Sequence, residues 1–163
     1  MFIPEIPDNS LKPLLEKLVY IADKFHSEAE EEDIPGKKFK FNPPATDEEI
    51  VYLEDSLDTV LPTGYKDFLK FSNGIRLCGY MAQFDSIKRV VSLHQMEKSP
   101  DFPKDYIAIA DIIGDGEILC FSKETKKFIR YFDGQETIYD DFYKFFEWLI
   151  DFIKESVEEY VDL

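Results

Sequence analysis

The first part of the chain carries apolar residues at spacings of three and four, the period of one face of an α-helix. This stripe comprises Leu11, Leu14, Leu15, Leu18, Val19, Ala22 and Phe25. Ser10 is the predicted N-cap, and Pro13 falls in the first turn, where proline is tolerated. The predicted helix runs into an acidic segment at residues 28–33, and an Ile-Pro-Gly sequence at residues 34–36 ends it. Carboxylates at that end oppose the helix dipole, so fraying is expected.

Two shorter helices with well-defined starts are predicted next. Thr46 and Glu49 have the spacing of a capping box, in which each side chain accepts from the other residue's backbone N–H. The apolar stripe that follows comprises Ile50, Leu53 and Leu57. Pro62 opens the third helix at its first turn, and the Ser-Asn-Gly sequence at residues 72–74 ends it. Together these two elements predict a helical hairpin.

From residue 75 to residue 133 the hydrophobic period changes to two, which indicates β-strands. Strands are predicted near residues 75–80, 87–93, 106–112, 117–122 and 128–132. The connections around residues 114–116 and 124–127 are too short for a parallel crossover, which favours antiparallel hairpins. The sheet is therefore predicted to be mainly antiparallel.

A long amphipathic helix is predicted to close the chain, with Asp140 or Asp141 as its N-cap. Its inward face comprises Phe142, Phe145, Phe146, Leu149, Ile153 and Val157. The pattern as a whole predicts an α+β fold, in which a mainly antiparallel sheet of about five or six strands is flanked by an N-terminal helical pair and a long C-terminal helix. Residues 1–42 are interpreted as an N-terminal helical extension that packs with an α+β domain at residues 43–163 as a single globular unit.

The composition agrees with one folded domain, because 44% of the 163 residues are hydrophobic and 15% are aromatic. Acidic residues outnumber basic ones by 34 to 19, a net charge of −15. This charge repels phosphate backbones and anionic lipids, so nucleic acid and membrane surfaces are disfavoured as partners. It favours a basic protein partner, although an acidic surface is also a common means of staying soluble.

The sequence carries no signal for a redox or membrane protein. Cys78 and Cys120 lie far apart without a C-x-x-C motif, and both are interpreted as small core residues. The first ten residues lack the basic start and apolar run of a cleavable leader, and no stretch approaches about 20 consecutive apolar residues. We therefore expect a cytoplasmic location.

Catalytic chemistry finds little support in the sequence. The only histidines are His26 and His94, and neither has an evident partner for nucleophilic catalysis. The carboxylates Asp111, Asp115 and Glu117 surround a glycine turn, but their spacing does not match an EF-hand loop, and acidic residues are common in turns. Phosphate-binding glycine loops are absent as well. We expect no enzyme activity, no metal and no cofactor.

Three segments, in this order, carry a family resemblance. Residues 44–74 (PATDEEIVYLEDSLDTVLPTGYKDFLKFSNG) combine a capped helix, a Leu-Pro and an aromatic helix that ends in Asn-Gly. Residues 105–135 (DYIAIADIIGDGEILCFSKETKKFIRYFDGQ) carry a Gly-Asp hairpin and an aromatic strand, and residues 139–149 (YDDFYKFFEWL) begin a Phe-rich helix. This order resembles the SUKH superfamily, which includes fungal cell-wall assembly regulators and bacterial proteins that neutralise polymorphic toxins. Tyr131 stands where the family commonly has tryptophan.

The resemblance implies a non-catalytic domain that binds another protein. One hypothesis is an immunity protein that blocks a basic toxin domain, a nuclease or a nucleic-acid deaminase. The alternative is a regulatory adaptor or scaffold that binds a cellular protein. The residues predicted to contact the partner are Asp115, Glu117, Asp133 and Glu136, which the pattern places at hairpin ends, together with Tyr131 as an aromatic anchor. The oligomeric state is left open.

Overall fold

The computed structural model describes residues 1–29, 39–77, 81–112 and 116–163. Within these residues the chain forms five helices: α1 (Lys12–Glu28), α2 (Asp47–Leu57), α3 (Thr63–Phe71), α4 (Ile87–Gln95) and α5 (Phe142–Val157). The strands are β1 (Lys40–Phe41), β2 (Ile75–Leu77), β3 (Ala82–Phe84), β4 (Tyr106–Ile112), β5 (Glu117–Ser122), β6 (Phe128–Phe132) and β7 (Gln135–Tyr139).

The strands form one sheet in the order β1-β2-β3-β4-β5-β6-β7, and every neighbouring pair is antiparallel. The predicted α+β class and antiparallel sheet are therefore confirmed. The described part of the chain has seven strands rather than five or six. Strands β1 and β3 are only two and three residues long, too short to show an alternating pattern.

The strand predicted at residues 87–93 is wrong, because this segment forms helix α4. Ser86 caps the helix, and its Oγ accepts a hydrogen bond from the N–H of Arg89 at 3.4 Å. The buried residues are Ile87, Val90 and Val91, at the three-and-four spacing of a helix. Their β-branched side chains resemble strand composition, but helix propensities differ by only about 0.7 kcal/mol per residue, so packing decides.

Strand β7, the second strand of the β6–β7 hairpin, was not among the predicted strands. The loop of this hairpin is Asp133-Gly134, flanked by the directly paired Phe132 and Gln135. Both loop residues have positive φ, 47° and 77°, as a two-residue turn of this hand requires. Asp-Gly is one of the strongest sequence signals for such a turn, so the evidence for β7 was present in the sequence.

The first helix starts differently from the prediction. Ser10 does not cap α1; its Oγ donates instead to Asp67 Oδ2 at 2.9 Å. The side-chain hydrogen bond just before the helix comes from Asn9 instead, because its Oδ1 accepts from the N–H of Leu11 at 3.0 Å. The helix ends at Glu28, where Ala29 already has an extended backbone. The rest of the predicted acidic end, residues 30–36, lies outside the described residues.

The other predicted caps are confirmed. Thr46 and Glu49 form the complete capping box, with both N–H···O distances at 3.1 Å. Asp141, rather than Asp140, caps α5 by accepting from the N–H of Lys144 at 2.9 Å. All six inward-facing residues predicted for this helix are buried.

An aromatic core joins α3 and α5 to one face of the sheet. The ring of Phe142 lies 5.5 Å from Phe68 of α3, and 5.2 Å from Phe128 of β6. A side chain at Gly64 would place its Cβ 2.7 Å from the Cβ of Phe142, so only glycine permits this approach of α3 and α5. The face of the sheet that these helices cover is called the helix face below.

Helix α1 packs on α5 and contributes to the same core. Its buried residues are Leu14, Leu15, Leu18, Ile21, Ala22 and Phe25. We propose on this basis that residues 1–42 and 43–163 fold as one unit, as the sequence predicted.

Candidate functional site

The strand register places the predicted contact residues on different faces of the sheet. Side chains of directly paired residues lie on the same face, and successive residues alternate. Tyr131 pairs with Ile118 and with Glu136, so these three share the face opposite the helix face. Arg130 pairs with Leu119 and lies on the helix face.

Glu117 belongs to the helix face and is engaged in a buried ion pair. Its Oε1 accepts a short hydrogen bond from Nε of Arg130, and only 11% of its side chain is exposed. The guanidinium carbon of Arg130 lies 3.7 Å from the ring centroid of Trp148 in α5. Arg130 Nη1 also donates to the hydroxyl of Tyr139 at 3.3 Å. This cluster ties β5, β6, β7 and α5 together, which gives Glu117 a structural role.

On the face opposite the helix face, Tyr131 belongs to an aromatic cluster, and Glu136 is hydrogen-bonded to a tyrosine of that cluster. The ring of Phe102, from the segment between α4 and β4, meets Tyr131 edge-on at 5.3 Å and Tyr106 at 6.2 Å. Tyr106 donates its hydroxyl hydrogen to Glu136 Oε1 at 2.9 Å. Burial, followed by this hydrogen bond, raises the pKa of Tyr106 to about 12, so its hydroxyl remains a donor at neutral pH. These contacts hold both tyrosine rings in place.

Exposed groups surround this cluster. Asp133 lies in the β6–β7 turn and is exposed, as is Glu136. The apolar side chain of Ile138 in β7 is 57% exposed. We call the set formed by Phe102, Tyr106, Tyr131, Asp133, Glu136 and Ile138 the hairpin surface. Its chemistry is that of a binding surface: fixed aromatic rings, an exposed apolar side chain and unburied carboxylates.

The structure brings Tyr131, Asp133 and Glu136 to the hairpin surface and leaves Glu117 on the other face. Asp115 lies outside the described residues. Sequence reasoning missed Phe102, Tyr106 and Ile138. The Asp-Gly turn, followed by the β-rich Thr137, Ile138 and Tyr139, could have revealed β7, but no local pattern indicates that Phe102 reaches Tyr131.

Burial shifts the pKa of two residues that carry potentially reactive groups, Cys120 and His94. Burial raises the pKa of Cys120 to about 12, so its thiol is protonated and a poor nucleophile at neutral pH. Burial, together with Lys98 and Lys123, lowers the pKa of His94. Among the described residues, no three His, Cys, Asp or Glu side chains are grouped closely enough to hold a metal ion.

None of the helices in the described ranges combines the length and apolar character needed to cross a bilayer.

Comparison with known proteins identifies the class to which this fold and surface belong. Residues 44–151 match the SMI1 / KNR4 family (SUKH-1), more than half of the chain. The chain belongs to this family, so the resemblance seen in the sequence is confirmed. It is also similar to the uncharacterized protein YnaB of Bacillus subtilis (strain 168), with 31% identity over 108 residues that cover 63% of this chain and 69% of YnaB. Family membership is consistent with immunity or regulatory roles.

Proposed function

We propose that this chain is a non-catalytic protein-binding domain that acts as an immunity protein. In this proposal it binds a cognate toxin domain, a nuclease or nucleic-acid deaminase with a basic surface, and blocks access to its substrate. The observation that carries the proposal is the hairpin surface, where carboxylates surround a fixed aromatic cluster. The proposal places this activity in the cytoplasm, where a toxin that acts on nucleic acid would meet its target.

The charge of the chain supports a basic partner. With a net charge of −15, the protein attracts a basic surface over several ångströms and accelerates the encounter. A protein that acts on nucleic acid needs a positively charged substrate channel. Carboxylates such as Asp133 and Glu136 can occupy that channel in place of phosphates, so binding and inhibition arise from the same contacts.

The aromatic cluster supports tight binding of the partner, in addition to the electrostatic attraction that brings the partner close. Tyrosine side chains act as anchors because they bury a large area with little loss of conformational entropy. Phe102 already fixes the ring of Tyr131, and Glu136 already fixes the hydroxyl of Tyr106. A partner that binds here therefore loses little entropy in ordering these side chains.

Removing the two exposed carboxylates should weaken binding without harming the fold. For the double variant Asp133→Asn and Glu136→Gln, we expect association with the toxin domain to slow by roughly three- to tenfold at low salt, with a flatter dependence on salt. Asparagine tolerates the positive φ at residue 133, and glutamine keeps an oxygen for Tyr106, so the melting temperature should stay nearly constant. Surface plasmon resonance across a salt series measures both quantities.

The matched control is the double variant Glu147→Gln and Glu155→Gln on the exposed side of α5, which changes the net charge equally. A contact at the hairpin surface predicts a smaller effect for this control. Equal slowing by both variants would mean that only overall charge matters, and would remove the hairpin surface as the contact site.

The alternative function is a regulatory adaptor or scaffold that binds a cellular protein, which the family also accommodates. Affinity capture from lysate of the native host, at low salt and with both double variants in parallel, separates the two. The immunity proposal requires that the captured protein be toxic or act on nucleic acid, and that the chain inhibit it stoichiometrically. A captured protein whose activity is not inhibited by the chain favours the adaptor.

A further inference from the structure

A second polar feature lies at the opposite edge of the sheet from the hairpin surface. Strands β1, β2 and β3 and the start of α4 enclose a pocket of about 170 Å³. Its polar lining consists of Lys40, Asn42, Arg76, Gln83, Asp85, Ser86 and Arg89. This volume is below the roughly 300 to 1,000 Å³ typical of sites for drug-sized ligands, and suits a small ion.

The register explains why cations meet here. Lys40 pairs directly with Arg76, and Arg76 with Gln83, so the three side chains form a row on one face of the sheet. Lys40 and Arg76 are exposed, and neither has an ion-pair partner among the described residues. The chain has a net charge of −15, yet none of its described acidic side chains pairs with these two cations.

Asp85 lies beside this row, and one of its carboxylate oxygens lacks a hydrogen bond from the described residues. The residue is 4% exposed although it lines the pocket, and its buried Oδ1 accepts no hydrogen bond from the described residues. Arg89 Nε, at 3.6 Å, is beyond hydrogen-bonding distance, and the Arg89 side chain is 60% exposed. Buried carboxylates without donors are costly and therefore rare. Burial, with Asp111 adding to the effect and Arg89 opposing it, raises the pKa of Asp85 to about 6.

Within the described part of the chain, the pocket thus offers two cations without an ion-pair partner, Lys40 and Arg76, and a carboxylate oxygen of Asp85 without a hydrogen bond. A small oxyanion that still carries a proton supplies acceptor oxygens for the cations and a hydroxyl donor for the carboxylate. We propose that this pocket binds inorganic hydrogen phosphate, with Lys40, Arg76 and Arg89 neutralising its charge and Asp85 accepting its hydroxyl hydrogen. The inference does not depend on the hairpin surface, which lies at the β6–β7 end of the same sheet.

The requirement for a proton makes the site selective. At pH 7.5, above the raised pKa, Asp85 is ionised and can only accept a hydrogen bond. The hydroxyl group of hydrogen phosphate can donate a hydrogen bond to the Asp85 carboxylate. Sulfate has no proton at this pH, and a phosphate monoester, whose second pKa is about 6, has lost its proton as well. Both would place an oxygen lone pair against the Asp85 carboxylate.

Titration calorimetry of the full chain at pH 7.5 and constant ionic strength tests the proposal, with sodium phosphate, sodium sulfate and methyl phosphate as ligands. We expect phosphate to bind at least roughly tenfold more tightly than the other two, because an unpaired buried acceptor strongly disfavours a ligand without a donor. Asp85→Asn, which replaces the carboxylate with an amide donor, should weaken phosphate binding and strengthen sulfate binding. Arg76→Gln, an exposed change, should weaken phosphate binding by roughly tenfold without altering the fold.

NMR locates the binding site. Phosphate should shift the amide signals of Gln83 and Ser86 more than those of Gln135 and Thr137. Equal affinity for phosphate and sulfate, in wild type and in Asp85→Asn alike, would overturn the proposal. So would an absence of binding heat, or amide shifts confined to other parts of the chain. If Asp85→Asn fails to fold, Arg76→Gln and the comparison of the three ligands still decide the outcome.

Discussion

Replacing Phe142 with alanine is expected to lower the free energy of unfolding by about 3–5 kcal/mol, the usual cost of removing a buried phenylalanine ring. Phe142 is 1% exposed and meets rings from α3, the sheet and α5 itself. Its removal leaves a cavity that these elements cannot fill without moving the helix. Urea denaturation with a fixed m-value measures the change as a shift in the midpoint.

Tyr143 provides the control on the same helix turn. Its side chain is 37% exposed, and Tyr143→Ala should change stability by no more than about 0.5 kcal/mol. Similar losses for Phe142→Ala and Tyr143→Ala would contradict the packing of α5 against the sheet, since only the first residue faces that core.

The second large effect is expected at Arg130. Arg130→Met removes the charge but keeps an apolar stem over Trp148, and should lower stability by about 3 kcal/mol because the buried Glu117 carboxylate loses the Arg130 guanidinium. Glu117→Gln in the same chain removes the buried negative charge. The double variant should therefore be more stable than the sum of the single losses predicts, with a coupling energy of about 1–3 kcal/mol.

The matching surface pair is Lys17 and Asp151, whose side chains are 40% and 55% exposed. The same cycle with Lys17→Met and Asp151→Asn should give a coupling of at most about 1 kcal/mol, because water screens exposed charges. Additive losses at Arg130 and Glu117 would contradict a coupled buried pair and return Glu117 to the list of candidate contact residues.

The role of Glu117 illustrates how neighbours in sequence separate in function. Tyr131 directly follows Arg130, yet the pleat of β6 directs one residue to the helix face and the other to the hairpin surface. Arg130 stabilises the strands that present Tyr131. The two double-variant experiments, one on binding and one on stability, therefore report on opposite faces of the same strand.

Local signals in the sequence determined much of the fold. The capping box of Thr46 and Glu49 and the apolar stripe of α5 act over a single turn, so the chain around them carries the whole signal. Strands β4, β5 and β6 were predicted correctly because each is long enough to show its pattern. The order of these elements was also sufficient to indicate the family, which the match to residues 44–151 confirmed.

Only the tertiary structure decided the conformation of the segment at residues 87–95 and the contacts between segments that are distant in sequence. Ile87, Val90 and Val91 suit a strand or a helix, and their burial in α4 settled the choice. The contact of Phe102 with Tyr131, the pairing of Glu117 with Arg130, and the meeting of Lys40, Arg76 and Asp85 all join separate strands or loops. The amino-acid sequence by itself determined which local elements form, because caps and periodicity are short-range. Register and burial determined which side chains meet, because those interactions exist only once distant segments pack together.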